Sequence, residues 1–268
     1  MSMDLLEETK SLAVRAGALA LGERESAGAE VACETKASET DIVTATDRRV
    51  ESFVVEAARK LLPGSAFYGE EGGEQGPADA EYRWIIDPID GTANFARDLT
   101  NWAVSIALWR EGKPFLGVVY APRLRELYCA KAGEGAFCNG RRLRVSAVDR
   151  LTRAACSTGF SCLRAGWTEE TNLKFFARLA PRMLAMRRLG CASLDLALVA
   201  SGRIDFAWEL NLGLYDHAAG QLLVTEAGGR FTDLLGGTEY PQKGTLASNG
   251  VLHGMLLEYF SDYRALRR

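Results

Sequence analysis

Trp84, Ile85 and Ile86 run without a break into Asp87, Pro88, Ile89, Asp90, Gly91 and Thr92. An apolar run of that kind belongs to a buried strand. It stops on a carboxylate, and Pro88 cannot donate to a ladder, so sheet pairing is expected to end there. A second carboxylate follows at Asp90, and Gly91-Thr92 opens what reads as a short helix. Both acids then project from the end of a sheet toward one point. Two carboxylates held close repel unless one keeps a proton or a cation joins them. Mg²⁺ is the economical cation, because it takes oxygen ligands in octahedral geometry. The backbone N–H groups of Gly91 and Thr92, at a helix start, would face an anion. Metal ligands beside an anion cradle point to phosphate chemistry. Asp87 or Asp90 alone is better explained by turn and cap formation, for which D-G is a common signal; their combination with Thr92 after a buried run tips the balance toward function.

Two further segments bear on this. The stretch 67–73, FYGEEGG, again ends a short apolar run on acids, Glu70 and Glu71. In 213–229, GLYDHAAGQLLVTEAGG, Asp216 stands in the first turn of an apolar helix that Gly228-Gly229 should stop. Alone, such an Asp is an N-cap.

The rest of the chain reads as a mixture of helices and largely antiparallel strands. Leu5, Leu12, Ala16 and Leu19 keep helical spacing, and that helix should end near Gly22. Val50, Phe53, Val54, Ala57, Ala58 and Leu61 form a stronger stripe, capped at Thr46 or Asp47 and stopped by Pro63-Gly64. Strand-like runs follow at 66–68, 83–87, 103–109, 115–120 and 126–130, with Asn139-Gly140 marking a hairpin. Helices are expected over 169–180, 192–201 and 251–262, and a strand over 204–210. The loop at 76–82 borders the acidic segment, where a site would find a natural home. No linker or repeat divides residues 1–268, so one domain is expected.

With 47% hydrophobic residues, 25% charged and a net charge of −3, the chain is globular in composition and carries no nucleic-acid or membrane footprint. Basic clusters at 141–144, at Arg187-Arg188 and at the C-terminus read as solvated faces. Six cysteines lack C-x-x-C spacing and only two histidines occur, which argues against zinc and for reduced thiols in the cytoplasm. The acidic start is unlike a signal peptide. No phosphate-binding G-x-x-x-x-G-K-[ST] loop or dinucleotide fingerprint is present.

The combination of GEE (69–71), WIIDPIDGTANF (84–95) and YDHAAG…EAGG (215–229) resembles the inositol monophosphatase family of Mg²⁺-dependent, lithium-sensitive phosphatases. The likeness covers most of the chain, including KASETDIVTATD (36–47) and the segment 116–146. It implies an α/β fold of the five-layer αβαβα type, a homodimer, and two or three Mg²⁺ ions. Glu70, Asp87 and the Ile89 carbonyl would hold the first ion; Asp87, Asp90 and Asp216 the second; Glu70 would also reach a third, weaker one. Thr92, paired with Asp47, would orient or deprotonate the attacking water. Gly91 and Thr92 amides would hold phosphate. Glu209, the Ala192 backbone and Asp90 would meet the alcohol. The reaction this implies is hydrolysis of a small phosphate monoester, inositol monophosphate first, with Li⁺ as inhibitor.

Two departures stand out. Where many members carry an aromatic-rich G-x-P loop, this chain has Asp98, Thr100 and Asn101; where they carry Trp, it has Tyr215. Histidinol phosphate and fructose 1,6-bisphosphate are alternative substrates, the second through Arg187 and Arg188, although a surface or subunit-interface role suits those arginines better. A haloacid-dehalogenase phosphatase needs D-x-D-G-T, and Pro88 occupies the place of its first Asp. A binding or regulatory protein that keeps the fold is the non-enzyme alternative.

Overall fold

The computed structural model describes residues 4–27, 32–35, 42–168, 171–239 and 244–263. Chain order begins with α1 (Leu5–Ser26), the hairpin β1 (Cys33–Thr35) and β2 (Ile42–Thr44), and α2 (Ala45–Leu61). Next come β3 (Ala66–Gly69), β4 (Gly73–Gln75), β5 (Tyr82–Asp90), the short α3 (Thr92–Ala96), β6 (Ala103–Arg110), β7 (Lys113–Ala121), β8 (Glu126–Lys131), β9 (Gly135–Cys138) and β10 (Arg141–Arg142). The last part holds β11 (Ala155–Thr158), α4 (Ser161–Arg164), α5 (Asn172–Leu179), β12 (Ala185–Arg187), α6 (Ala192–Ala200), β13 (Phe206–Glu209), α7 (Leu214–Glu226), β14 (Arg230–Thr232), β15 (Thr245–Ser248) and α8 (His253–Tyr259).

Two main sheets result. The first runs β10-β9-β8-β7-β6-β5-β3-β4 and is antiparallel except where β3 lies parallel to β5. The second runs β12-β11-β13-β15-β14, with β11 parallel to both its neighbours. Helices fill the layers between and outside. Leu12 and Ala16 of α1 and Val50 and Val54 of α2 pack on one face of the first sheet against Trp84, Ile86 and Ile106. Ile85, Ala107 and Val119 on its other face meet α6 and α7, which also cover Ala207, Phe231 and Ala247 of the second sheet. Phe175 of α5 and Leu256 of α8 close the far side over Cys156, Phe206 and Leu246. This is the αβαβα sandwich. It explains the unbroken apolar run in β5: a strand covered on both faces has no polar side to alternate.

The boundaries differ from the pattern-based reading in instructive ways. α1 passes through Gly22 to Ser26, because its last turn is anchored by buried Arg24, whose Nε donates to the Phe95 carbonyl (3.1 Å). One glycine costs a helix about 1 kcal/mol, less than such an anchor and the surrounding packing return. Thr44, not Thr46 or Asp47, caps α2: it ends β2 in extended geometry, and Asp47 sits at the third helical position of a capping box. β5 does not stop at Pro88. Asp87 pairs with Ser105 and Asp90 with Ala103, so the strand bulges by one residue and resumes. Pro88 sits in the bulge, where no ladder donor is needed. Asn139 and Gly140, at φ 47° and 78°, make the expected hairpin turn, but pairing ends at Arg142. α5 stops at Leu179 and gives way to a 3₁₀ turn at Ala180–Arg182 around Pro181; α8 is shorter than 251–262. Of the second sheet, only β13 was visible as a strand in the sequence.

Candidate active site

The bulge in β5 fixes the geometry of the site. It turns Asp87 and Asp90 toward one point and lets the Ile89 N–H donate to Asp87 Oδ1 (3.1 Å). β3 runs parallel to β5 with Gly69 opposite Ile86, and the Glu70 N–H continues the ladder to the Ile86 carbonyl (3.1 Å), which sets Glu70 beside Asp87. The turn that follows is clamped from α2: buried Glu51 accepts the N–H groups of Glu71 (2.9 Å) and Gly72 (2.6 Å). α7 delivers Asp216. It is not the N-cap; Gly213 is, and Asp216 at the third position accepts the Gly213 N–H through Oδ2 (2.6 Å). Carboxylate oxygens of Asp87, Asp90 and Asp216 all lie within 4.8 Å of one another.

These acids line a cavity of ≈ 110 Å³ together with Glu70, Ile89, Gly91, Thr92, Ala192 and Glu209. The loop at 76–82 has no part in its lining. Burial, then the charges of Glu70, Asp90 and Asp216, hold Asp87 well above the usual carboxylate range. Burial, then the charges of Asp90, Glu70 and Glu209, do so for Asp216. Asp90 is raised by burial, but less freely, because its Oδ2 accepts the Ser193 N–H (2.6 Å) and the Cys191 thiol (3.2 Å), and the Ala192 N–H also favours its charge. A cluster that resists its own ionisation is what a divalent cation relieves. The donors are all oxygen, and neither His217 nor His253 lines the cavity, so the set fits a hard ion such as Mg²⁺.

Thr92 opens α3 behind Gly91, whose φ of 90° suits glycine and whose Cβ, if added, would lie 3.0 Å from the Asn101 and Gly190 carbonyls. The Thr92 hydroxyl lies 3.1 Å from Asp47 Oδ1 and 3.2 Å from the Ile89 carbonyl. Asp47 Oδ2 in turn accepts the Thr44 N–H (2.9 Å) and hydroxyl. Burial raises Asp47, and those hydrogen bonds pull the other way. Glu209, also on the cavity's lining, closes β13 and accepts the Ser161 N–H (3.2 Å). Burial raises it and Ser161 opposes the shift. Arg188 lines the cavity with Arg164, whereas Arg187 is exposed on the edge strand β12 and does not line it.

Several supporting residues escaped the sequence reading. Asn94 ties α3 to the segment before α6 by donating to the Leu189 carbonyl (2.8 Å). Gly159 is pressed so closely on Glu209 that a Cβ would fall 2.2 Å from either carboxylate oxygen. Cys191, Glu51 and Arg164 likewise act through partners remote in sequence. None carries a local signal: each matters through a contact that only tertiary packing creates, which for Glu51 joins α2 to the turn after β3.

The inositol monophosphatase family model matches residues 3–265. The chain belongs to the inositol monophosphatase family. An inositol-1-monophosphatase of Rhizobium meliloti is 43% identical over 206 residues, 77% of each chain. The Nus factor SuhB of Pseudomonas aeruginosa is 43% identical over 215 residues, 79% of each. The solved extragenic suppressor protein suhB of Bartonella henselae superposes with a TM-score of 0.90 at 35% identity, covering 97% of this chain and 99% of that one. Among the described residues no helix is long and apolar enough to cross a membrane.

Proposed function

We propose that this family member is a Mg²⁺-dependent phosphomonoesterase acting on a small polyol or sugar phosphate, inositol monophosphate foremost. The supporting observation is the meeting of three carboxylates within 4.8 Å at a cavity that Glu209 also lines. Glu70, Asp87 and the Ile89 carbonyl would hold one Mg²⁺, Asp87, Asp90 and Asp216 a second, and Glu70 a third, weaker ion; Li⁺ is expected to inhibit. When bound, such ions supply an activated water and charge relief at the leaving oxygen.

The chain's own groups do the rest. The Thr92 hydroxyl donates to Asp47, which leaves its oxygen lone pairs to accept from the attacking water; Asp47 takes up the displaced proton through Thr92. The N–H groups of Gly91 and Thr92 precede the first bonds of α3, made by Asn94 and Phe95 to the Gly91 carbonyl, and so serve phosphate oxygens. Glu209 accepts from substrate hydroxyls, with the Ala192 backbone and Asp90 beside it. Arg188 and Arg164 at the same cavity keep fructose 1,6-bisphosphate as an alternative, and Glu209 keeps the ammonium of histidinol phosphate as another.

Phosphate release from these three esters and adenosine 3′,5′-bisphosphate, each with Mg²⁺, with EDTA and with Li⁺, tests the proposal. One ester turned over far faster, only with Mg²⁺, names the substrate. A second reading draws on the relative named a Nus factor: a regulatory binding role, alone or beside catalysis. Release from no ester under any condition would favour it. On the family's pattern we further infer a cytoplasmic homodimer, which sedimentation would check.

A further inference from the structure

Glu209 stands between two spaces. One is the cavity with the acid cluster; the other is a small pocket behind it with room for about one water molecule (≈ 10 Å³). Asp195 and Thr245 line that second pocket with Glu209, and apolar Leu196 and Trp208 close it. Asp195 is only 4% exposed, and its Oδ1 has no hydrogen-bond partner among the described residues. The Ser157 hydroxyl is near enough to favour the charged form of Asp195, but it lies outside regular hydrogen-bond geometry. A buried carboxyl oxygen left unpaired is costly, so the pocket that Asp195 lines calls for a polar occupant. A buried water needs two to four polar partners, and Asp195, Glu209 and Thr245 supply them.

We propose that Asp195 is a positioning residue for Glu209: with one water in this pocket, it holds the substrate-facing carboxylate from behind. The proposal rests on the reading that Glu209 meets the alcohol part of the substrate. The chemistry of the pair is complementary. Burial, then the charge of Glu209, holds Asp195 well above the usual carboxylate range, so it keeps a proton to donate. Glu209 has the Ser161 N–H on its other flank, which favours its charged, accepting form. Gly159 blocks retreat toward β11, because Glu209 already fills the space a side chain would take. The carboxylate is thus fixed on three sides and open only to the cavity.

The test compares initial rates of wild type, D195N, D195L and E209Q with inositol 1-phosphate and with p-nitrophenyl phosphate, which lacks polyol hydroxyls. D195L removes the donor and fills the pocket; it should raise KM for inositol 1-phosphate about tenfold, leaving kcat and the KM for the aryl ester within about twofold. D195N keeps a donor and should stay near wild type. If E209Q raises the inositol ester's KM selectively and D195L does not, the inference is overturned while the role of Glu209 stands. If E209Q has no selective effect, the role of Glu209 falls first and the inference with it. A high-resolution crystal structure of the wild type decides independently of turnover and of how D195L folds: an ordered water in contact with both carboxyl groups supports the inference, and a dry pocket overturns it.

Discussion

Replacing Asp87 with Asn should make the metal-free protein more stable and the enzyme nearly inert. Carboxylate oxygens of Asp87, Asp90 and Asp216 lie within 4.8 Å. At that separation and an effective dielectric of about 20, one pair of like charges repels by about 3 kcal/mol. Protons retained by the cluster relieve most of this, since burial and mutual charge hold Asp87 and Asp216 well above the ordinary range. The residual gain for Asp87→Asn is then about 1–2 kcal/mol, or about 2–6 °C in Tm for a chain of this size. The pH dependence has a definite sign. A carboxyl raised in the folded state binds a proton that the unfolded chain has released, so metal-free stability falls as pH climbs above about 4, and falls less in the variant. Asn keeps the oxygen that accepts the Ile89 N–H, so the bulge should survive. Thermal unfolding in EDTA and in rising Mg²⁺ reads both effects, because an ion that binds only the folded state adds about 2.7 kcal/mol at a hundred times its Kd. The wild type should gain from Mg²⁺ and the variant should lose most of that gain, with phosphate release down by about a hundredfold or more. A variant less stable than wild type in EDTA, or one that keeps both the Mg²⁺ shift and normal turnover, would refute the cation-site argument.

Thr92→Ala should lower turnover by about a hundredfold while leaving the Mg²⁺-dependent Tm shift nearly intact, because it removes the hydroxyl held by Asp47 and no carboxylate; a normal rate with weakened Mg²⁺ binding would contradict that role. Glu209→Gln should change the ratio of kcat/KM among inositol 1-phosphate, histidinol phosphate and fructose 1,6-bisphosphate by about tenfold, and unchanged ratios would remove Glu209 from the alcohol pocket. Gly159→Ala should act like a displaced Glu209, with KM for a polyol phosphate up by about tenfold and a loss of about 1–3 kcal/mol on chemical unfolding, since its Cβ meets both carboxylate oxygens; wild-type kinetics would show that β11 yields instead.

Much of the site was readable because it is compressed into short stretches. Asp87, Ile89, Asp90, Gly91 and Thr92 fall within six consecutive residues, so their chemistry shows as a local pattern. Glu70 and Asp216 stood out locally only as acids beside apolar runs; the family resemblance then gave them roles and added roles for Asp47, Ala192 and Glu209 that no window around each residue contains. The fold was readable where period marked a long element, as in α2, or where a long apolar run met a glycine stop, as in α7, and poorly readable in the second sheet, where strands of three or four residues carry too little pattern to stand out from loops.

By itself, then, the sequence determined that a strand covered on both faces ends in acids, and that a helix starts behind them. Tertiary structure decided the rest. It turned Pro88 from a strand end into a bulge, because Asp90 found Ala103 beyond it. It moved Asp216 from a cap into the cluster with Asp87 and Asp90, because Gly213 takes the cap and α7 is packed against the first sheet. It also joined Glu209 to Gly159, Ser161 and Asp195, residues 14 to 50 positions away. Propensity and periodicity act over a turn or a few residues, whereas the field at a buried carboxylate is set by whatever the fold brings within a few ångströms, and no local pattern encodes that.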